Sequence, residues 1–516
     1  MKNTYLIHTL LLAIYPILFV YSENINQLYF VELMIPLFLS ISITIIILLI
    51  VGTANKNFEK AGLIVSLIIF IFYFSKMIYT SFLLENPLFE SWIRIRYYLI
   101  FLIIVFSFIT FLIYRLSGNL DKVTKIINVF AIALIILSIL TIFSKISNVK
   151  LTNNKYLQAQ KQSKTTQYIN KDYQPDIYYI ILDAYARSDT LKELYNFNNK
   201  EFLEFLRQKG FYVASNSYSN YAFTYLSLSS SLNLNYIPKL KSIKDYKNLR
   251  NYIKNNNVAK FLKSKNYKYV FFNSSYSVTK CNNNESVDYC IKNSVFDELS
   301  ILLIQESILG LFNTENEIYR LTVLNSFSNL EQISNIPGPK FVFCHIVCPH
   351  PPYLFGKNGQ YIRGKKSLPL KENKDAYLDQ LIFINKKVRQ FIDYLLLNSN
   401  NKPVIIVQSD HGAIVSFADN NDWIDPDTKN LKELMGILNA YYLPYQSQNG
   451  LYKSISPVNT FRLIFNNYFN AKYPLLDDKS FYSNPHLLPF KFIDITDRLK
   501  NNQNNKVTNL KKLKKL

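Results

Sequence analysis

PDIYYIILD at positions 175–183, answered by PVIIVQSDHG at positions 403–412, decides how the second half of this chain folds. Each is a short run of β-branched, aromatic and aliphatic residues that leads into an acid. A run that is apolar at every position is the pattern of a strand covered on both faces, as in a parallel sheet. An acid at the C-terminal end of such a strand stands where ligands of open α/β sheets collect. Working outward, Phe341–Val347 is a third strand of this kind, and Phe211–Ala214 and Tyr267–Phe272 are shorter ones. Helix-like stretches separate them at Lys200–Lys209, Val258–Lys263 and the 3.6-periodic Asp379–Leu397. Ser456-Pro457 opens another helix, with the hydroxyl as N-cap and the proline at N1. The alternation predicts an α/β domain with a mainly parallel sheet over residues 175–500.

The first 145 residues have a different character. Five apolar segments, about 4–21, 33–53, 62–84, 97–114 and 126–143, are each long enough to cross a bilayer. No small-residue cleavage site follows the first, and four more follow it, so it reads as a span and not as a signal peptide. Lys2, Lys56, Lys60, Arg115, Lys122 and Lys125 fall on one side of the bundle. Glu23, Glu32, Glu85 and Glu90 fall on the other, against Arg94 and Arg96. The positive-inside rule then puts the N-terminus in the cytoplasm and residues 146–516 outside the membrane. Lys76 is a lone charge inside the third span, read either as a functional group or as a side chain snorkelling to the interface. His8 reads as a tolerated polar residue near the inner interface.

The net charge of +22 calls for an anionic partner or a membrane. The lysines flank spans, fill a polar, aperiodic linker over 146–174, and form a basic tail over 501–516. No nucleic-acid-binding motif accompanies them, so no nucleic-acid partner is expected. Of the four cysteines, Cys281 and Cys290 bracket a polar loop and suit a local disulfide in an oxidising compartment. Cys344 and Cys348 lie in an apolar run and read as buried thiols.

Three strand ends carry the chemistry: Asp183, His350 just past the 341–347 strand, and the adjacent pair Asp410-His411 before Gly412. Carboxylates and imidazoles are the ligands that a divalent cation takes. A single strand-end acid often caps a helix, and a lone histidine often packs. An Asp-His pair followed by Gly, together with the other two ends, points to a metal site.

The order of PDIYYIILDAYARSD, SNYAFTYLSLSSSLN, HIVCPHPPY and VIIVQSDHGA resembles the alkaline-phosphatase superfamily, over about 175–490. The nearest branch is the sulfatase-like hydrolase/transferase group, which includes lipoteichoic acid synthases and the phosphoethanolamine transferases that modify lipid A. Those membrane-bound relatives also carry five helices before an outer catalytic domain. The resemblance implies an αβα sandwich and one divalent cation (Zn, Mn or Mg), held by Asp183, Thr224, Asp410 and His411. It implies that Thr224 is the nucleophile and that His350 contacts the substrate phosphate. His345 stands where a second substrate-side histidine does, and Arg187 is a candidate phosphate clamp. A weak second metal would sit near His345, His350 or His486. The chain departs from the transferases in having Asp183 where they use Glu, and in the residues after Thr224, where Ser227, Ser229, Ser230 and Ser231 are alternative hydroxyls. The Cys-x-Pro-x-Arg signature of sulfatases is missing.

The expected activity is transfer of a phosphorylated headgroup from a phospholipid donor to an envelope glycan or glycolipid acceptor through a phospho-threonine. The alternatives are a phosphate- or sulfate-ester hydrolase, and an inactive membrane scaffold. The orientation is tested by cysteine labelling in intact cells. A membrane-impermeant maleimide should label Lys161→Cys and spare Lys122→Cys, and the reverse pattern would contradict the topology.

Overall fold

The computed structural model describes residues 6–25, 28, 30–84, 95–116, 120–153, 174–237, 246–274, 276–281, 286–294, 296–312, 314–362, 370–399, 401–417, 423–424, 426–445, 450–484 and 488–501. The chain forms two compact units. One comprises Met1–Thr165 with Val295–Ile318, the other Thr166–Ser294 with Tyr319–Leu516. The division departs from the sequence-derived boundary at one place, since a segment from the middle of the α/β half belongs to the helical unit.

The helical unit contains α1 (Ile7–Glu23), α2 (Met34–Asn55), α3 (Phe58–Ile78), α4 (Ile95–Arg115) and α5 (Asp121–Asn153). Four helical stretches, Phe30–Asn55, Phe58–Ser81, Ile95–Arg115 and Asp121–Lys145, are long and apolar enough to cross a membrane. α1 is shorter, with 17 residues. It rises about 26 Å at 1.5 Å per residue, against a hydrocarbon core of about 30 Å. Polar contacts pin α1 to α5 at both ends. The backbone N–H of His8 donates to Asn128 Oδ1 at 2.8 Å, and Lys145 Nζ reaches Ser22 O at 3.0 Å and Glu23 Oε1 at 3.2 Å. The two helices therefore run in the same direction. Large apolar side chains such as Phe38, Ile103 and Val129 are exposed, the surface a lipid-facing helix presents. α5 continues past residue 143 into the stretch read as aperiodic linker, because no Pro or Gly interrupts it before Asn153. The rest of that linker and the basic tail beyond Asn501 lie outside the described residues.

The second unit is built on β1 (Ile177–Leu182), β2 (Tyr212–Val213), β3 (Lys268–Phe272), β4 (Tyr289–Ile291), β5 (Lys340–Ile346), β6 (Val404–Gln408) and β7 (Asn439–Tyr442). These form one sheet in the order β2-β7-β6-β1-β5-β3-β4. β6, β1, β5, β3 and β4 pair in parallel, while β7 runs antiparallel to both of its neighbours. A small antiparallel pair, β8 (Phe481–Asn484) and β9 (Leu488–Asp494), stands apart from it and was not foreseen.

The unbroken apolar run of β1 has the predicted meaning. Tyr178, Ile180 and Leu182 enter one core with the helix Leu370–Asn398, while Ile177, Tyr179 and Ile181 enter another with the helix Pro457–Phe469. Helices cover both faces, giving the three-layer sandwich.

One local expectation is corrected. The helix does start at Pro457, but the Ser456 hydroxyl makes no cap. It donates to Asp478 Oδ1 at 2.8 Å. The first-turn N–H of Val458 is instead taken by Asn220 Oδ1 at 2.8 Å, while Asn220 Nδ2 donates to Lys479 O at 2.8 Å. A fully buried amide that serves both backbone groups is worth more than a hydroxyl whose donor goes elsewhere. Asn220→Ala should cost about 1–3 kcal/mol by leaving both groups unpaired, and more than Ser456→Ala, as read by urea unfolding of the purified protein.

Candidate metal centre

β1 lies between β5 and β6, so the three strand ends singled out in the sequence are neighbours. The register pairs Leu182 with Ile346 and Ile181 with Gln408. Backbone bonds then stitch the ends together. Asp183 N donates to Ile346 O and His350 N to Asp183 O, both at 3.0 Å. Ser409 Oγ donates to Leu182 O at 2.7 Å and accepts from Tyr185 N at 2.8 Å. Ala184, directly after Asp183, has φ 62°, a conformation uncommon outside glycine. It is held there from two sides. Its N–H points at Asp410 Oδ1 at 3.3 Å, and its carbonyl accepts from Tyr377 Oη at 3.0 Å. Gly412 is needed because a Cβ there would lie 2.0 Å from Glu433 O and 2.7 Å from Gly436 O.

Asp183 is shared by two clusters, one with His350 and His411, the other with His345 and Asp410. Within each, the candidate ligand atoms all lie within 4.8 Å of one another. The outer ring nitrogens are anchored in a way that turns the inner ones to the centre. His411 Nδ1 is 2.8 Å from Gly412 O, His350 Nδ1 is 2.6 Å from Pro351 O, and His345 Nδ1 is 2.9 Å from Thr279 Oγ1. That is the outer-partner arrangement which fixes a ligating imidazole. On the inner side, His345 Nε2 is 3.2 Å from Asp183 Oδ2 and His411 Nε2 is 3.4 Å from Asp183 Oδ1.

Among the described residues, Asp183 Oδ1 and Asp410 Oδ2 are buried and make no hydrogen bond, and His345 Nε2 has only its 3.2 Å approach to Asp183 Oδ2. Two buried carboxylates with orphaned oxygens are costly unless a positive charge meets them. Burial pushes the Asp183 carboxyl up, but the facing charge of His350, then of His345 and His411, outweighs it and holds the group well below the usual carboxylate range. For His411 burial lowers the pKa, while Asp410 and Asp183 raise it, and the net direction is up. Both shifts express the same demand for positive charge. The donor set of carboxylates and imidazoles fits a divalent cation.

Thr224 opens the helix Thr224–Ser231 and is mostly buried. Its hydroxyl makes no side-chain hydrogen bond among the described residues. The far end of the helix is fixed beside β1, where Tyr179 Oη donates to Gln408 Oε1 at 2.6 Å and lies 3.2 Å from Ser231 Oγ. Of the alternative hydroxyls, those of Ser229, Ser230 and Ser231 are fully buried and donate to the carbonyls of Leu249, Asn235 and Leu228. The Ser227 hydroxyl is buried without a partner.

His345 is fully buried and faces Asp183, which places it among the candidate ligands. One expectation is corrected. Arg187 is no free phosphate clamp. Its Nε and Nη2 each donate to Asp189 at 2.7 Å and its Nη1 to Ser217 O at 2.9 Å, and the group stacks on Tyr218. His486 falls outside the described residues. Cys281 and Cys290 are disulfide-bonded. Cys344 and Cys348 are free and buried, and burial pushes both thiols up. The sequence reading missed Thr279, which orients His345, and Tyr377, which braces Ala184. Neither lies in a motif.

No family model matches the chain, and no curated protein matches it. Solved structures do. The zinc complex of the C-terminal periplasmic domain of EcEptC from Escherichia coli is 14% identical, over 64% of this chain and 95% of that one, with TM-score 0.46. The corresponding domain of phosphoethanolamine transferase EptC from Campylobacter jejuni is 13% identical over 58% and 90%, with TM-score 0.35. The integral membrane lipooligosaccharide phosphoethanolamine transferase A from Neisseria meningitidis is 11% identical over 90% and 95%, with TM-score 0.38.

The electrostatic reading makes a two-sided prediction. In chelator, Asp410→Asn removes one buried negative charge and should raise the melting temperature above that of the parent. In cation-replete buffer the order should invert, because the parent gains binding free energy that the variant lacks. Scanning calorimetry of both proteins in both buffers checks it.

Proposed function

We propose that this chain is a membrane-anchored, cation-dependent phosphotransferase that moves a phosphorylated lipid headgroup to a hydroxyl of an envelope glycan or glycolipid. The observation that carries the reading is the pair of buried carboxylates, Asp183 and Asp410, with orphaned oxygens among three inward-turned histidines. The motif order of the sequence supports the same assignment. The parallel run of α1 with α5 supports counting α1 as a fifth span, with the α/β unit outside the membrane.

Asp183, Asp410, His411 and Thr224 would hold the cation, with His345 beside them. When bound, it lowers the pKa of a neighbouring hydroxyl and offsets phosphoryl charge. The chain's own residues do the rest. Thr224 Oγ1, its proton released to water, attacks the phosphorus of the donor phosphodiester. A bond from threonine to phosphorus forms, and the bond to the lipid alcohol breaks. The first-turn N–H groups of the helix that Thr224 opens favour the negative charge at that oxygen. With His350 Nδ1 held on Pro351 O, Nε2 is the nitrogen that protonates the departing alcohol. The acceptor hydroxyl then gives its proton to the same nitrogen and attacks the phosphorus, and the bond to threonine breaks to return the Thr224 oxyanion. An apolar slot lined by Tyr276, Tyr319, Val323, Pro351, Leu354 and Phe355 adjoins His350 and suits an apolar part of a substrate.

Intact-mass measurement of the purified full-length protein after incubation with mixed bacterial phospholipids and Zn, Mn or Mg tests this. A cation-dependent adduct that is absent in Thr224→Ala is expected, and its mass names the transferred group. Phosphate release to water with no adduct at any residue would replace the transferase reading by a hydrolase. Absence of both activity and bound cation would leave a scaffold.

A further inference from the structure

The segment Phe296–Phe312 belongs by sequence to the α/β half, yet it is built into the helical unit. It contains the helix Glu298–Glu306 and the turn Ile308–Phe312. Asp297 caps the helix, accepting from Ser300 N at 2.7 Å. Leu299 and Leu303 are buried with Ile17, Tyr21, Leu28 and Leu33, and Leu311 is buried with Tyr79 and Tyr98. These partners lie where α1 and α3 end and α2 and α4 begin. That is one end of the bundle, the end at which Lys145 meets Glu23.

The lone intramembrane charge finds its function here. Lys76 Nζ donates to Gln305 O, one of the last carbonyls of the segment's helix, which no helical N–H reaches. A lysine at a helix C-terminus also meets the negative end of its dipole. Gly310 makes the approach feasible, since a Cβ there would lie 2.1 Å from Gln305 O and 2.9 Å from Lys76 Cδ. On the α/β side the segment is preceded by a firmly held residue. Asn293 Nδ2 donates to Asn273 O and Ser326 Oγ, both at 2.8 Å, and Asn293 O accepts from Asn325. Leu309 and Phe312 stay exposed, as many apolar side chains of the spanning helices do.

We propose that Phe296–Phe312 is an interfacial membrane anchor, latched by Lys76 and Gly310 to the ends of the spanning helices, with Phe312 among the lipid chains near the headgroups. Its partner is the lipid surface. Apolar side chains seated at the headgroup boundary add burial to a membrane protein without spanning the bilayer. The inference rests on the bundle being in the membrane and not on the chemistry proposed for Thr224, so catalytic failure leaves it untouched.

The test uses full-length protein in phosphatidylcholine–phosphatidylglycerol vesicles. Phe312→Cys carries an environment-sensitive fluorophore, the native cysteines being either bonded or buried. Lipids bearing a nitroxide near the headgroup should quench it more strongly than lipids bearing one near the chain end. Adding Lys76→Met or Gly310→Val should abolish that quenching, while Lys76→Arg should retain it. No quenching in the parent, or stronger quenching by the deep nitroxide, would overturn the anchor. Unchanged quenching in both Lys76→Met and Gly310→Val would overturn the latch.

Discussion

Negative charge buried at the ends of neighbouring strands is the constraint around which the α/β unit is organised. Asp183 and Asp410 follow adjacent parallel strands, each with an oxygen that makes no hydrogen bond among the described residues. An uncompensated buried carboxylate is expensive. The surroundings are arranged to keep it buried all the same. Ser409, Tyr377 and the left-handed Ala184 fix the loops, and Gly412 lets the loop after β6 pass against residues 433–436. Three histidines have their outer nitrogens occupied, so that their inner faces meet the acids. A site kept at that cost is what the proposed cation would account for, and local stability that yields to function is the expected pattern there.

The sheet was legible because its signal is local. Strands covered on both faces are buried throughout, and β1, β5 and β6 are, with only Lys340, His345 and Gln408 interrupting their apolar runs. Their ends were legible for the same reason, since an acid or Asp-His pair after such a run is conspicuous. What the sequence does not carry is the origin of contacts between distant segments. Asn220 replaces Ser456 as the helix cap from far along the chain, and Thr279 orients His345 from a loop with no motif. Arg187 looked available because it is charged and follows Asp183. Its partners, Asp189 and the carbonyl of Ser217, are visible only in three dimensions.

The membrane half shows the same split between local and distant information. Hydropathy located the apolar segments well, because each needs only its own residues to be read. Lys76 remained ambiguous in sequence since its partner, Gln305, is more than two hundred positions away in the other half. The return of residues 296–312 to the bundle also changes the connectivity. The chain passes between the two units three times, at 165/166, 294/295 and 318/319.

The central claim, that the buried acids and imidazoles hold a cation, is tested most directly by X-ray absorption on the purified full-length protein after dialysis. The account predicts a retained, near-stoichiometric divalent metal whose inner shell contains only oxygen and nitrogen, with the multiple-scattering signature of imidazole. An inner shell with sulfur, which would implicate Cys344 or Cys348, or a folded protein that retains no metal after loading with Zn, Mn or Mg, would contradict it.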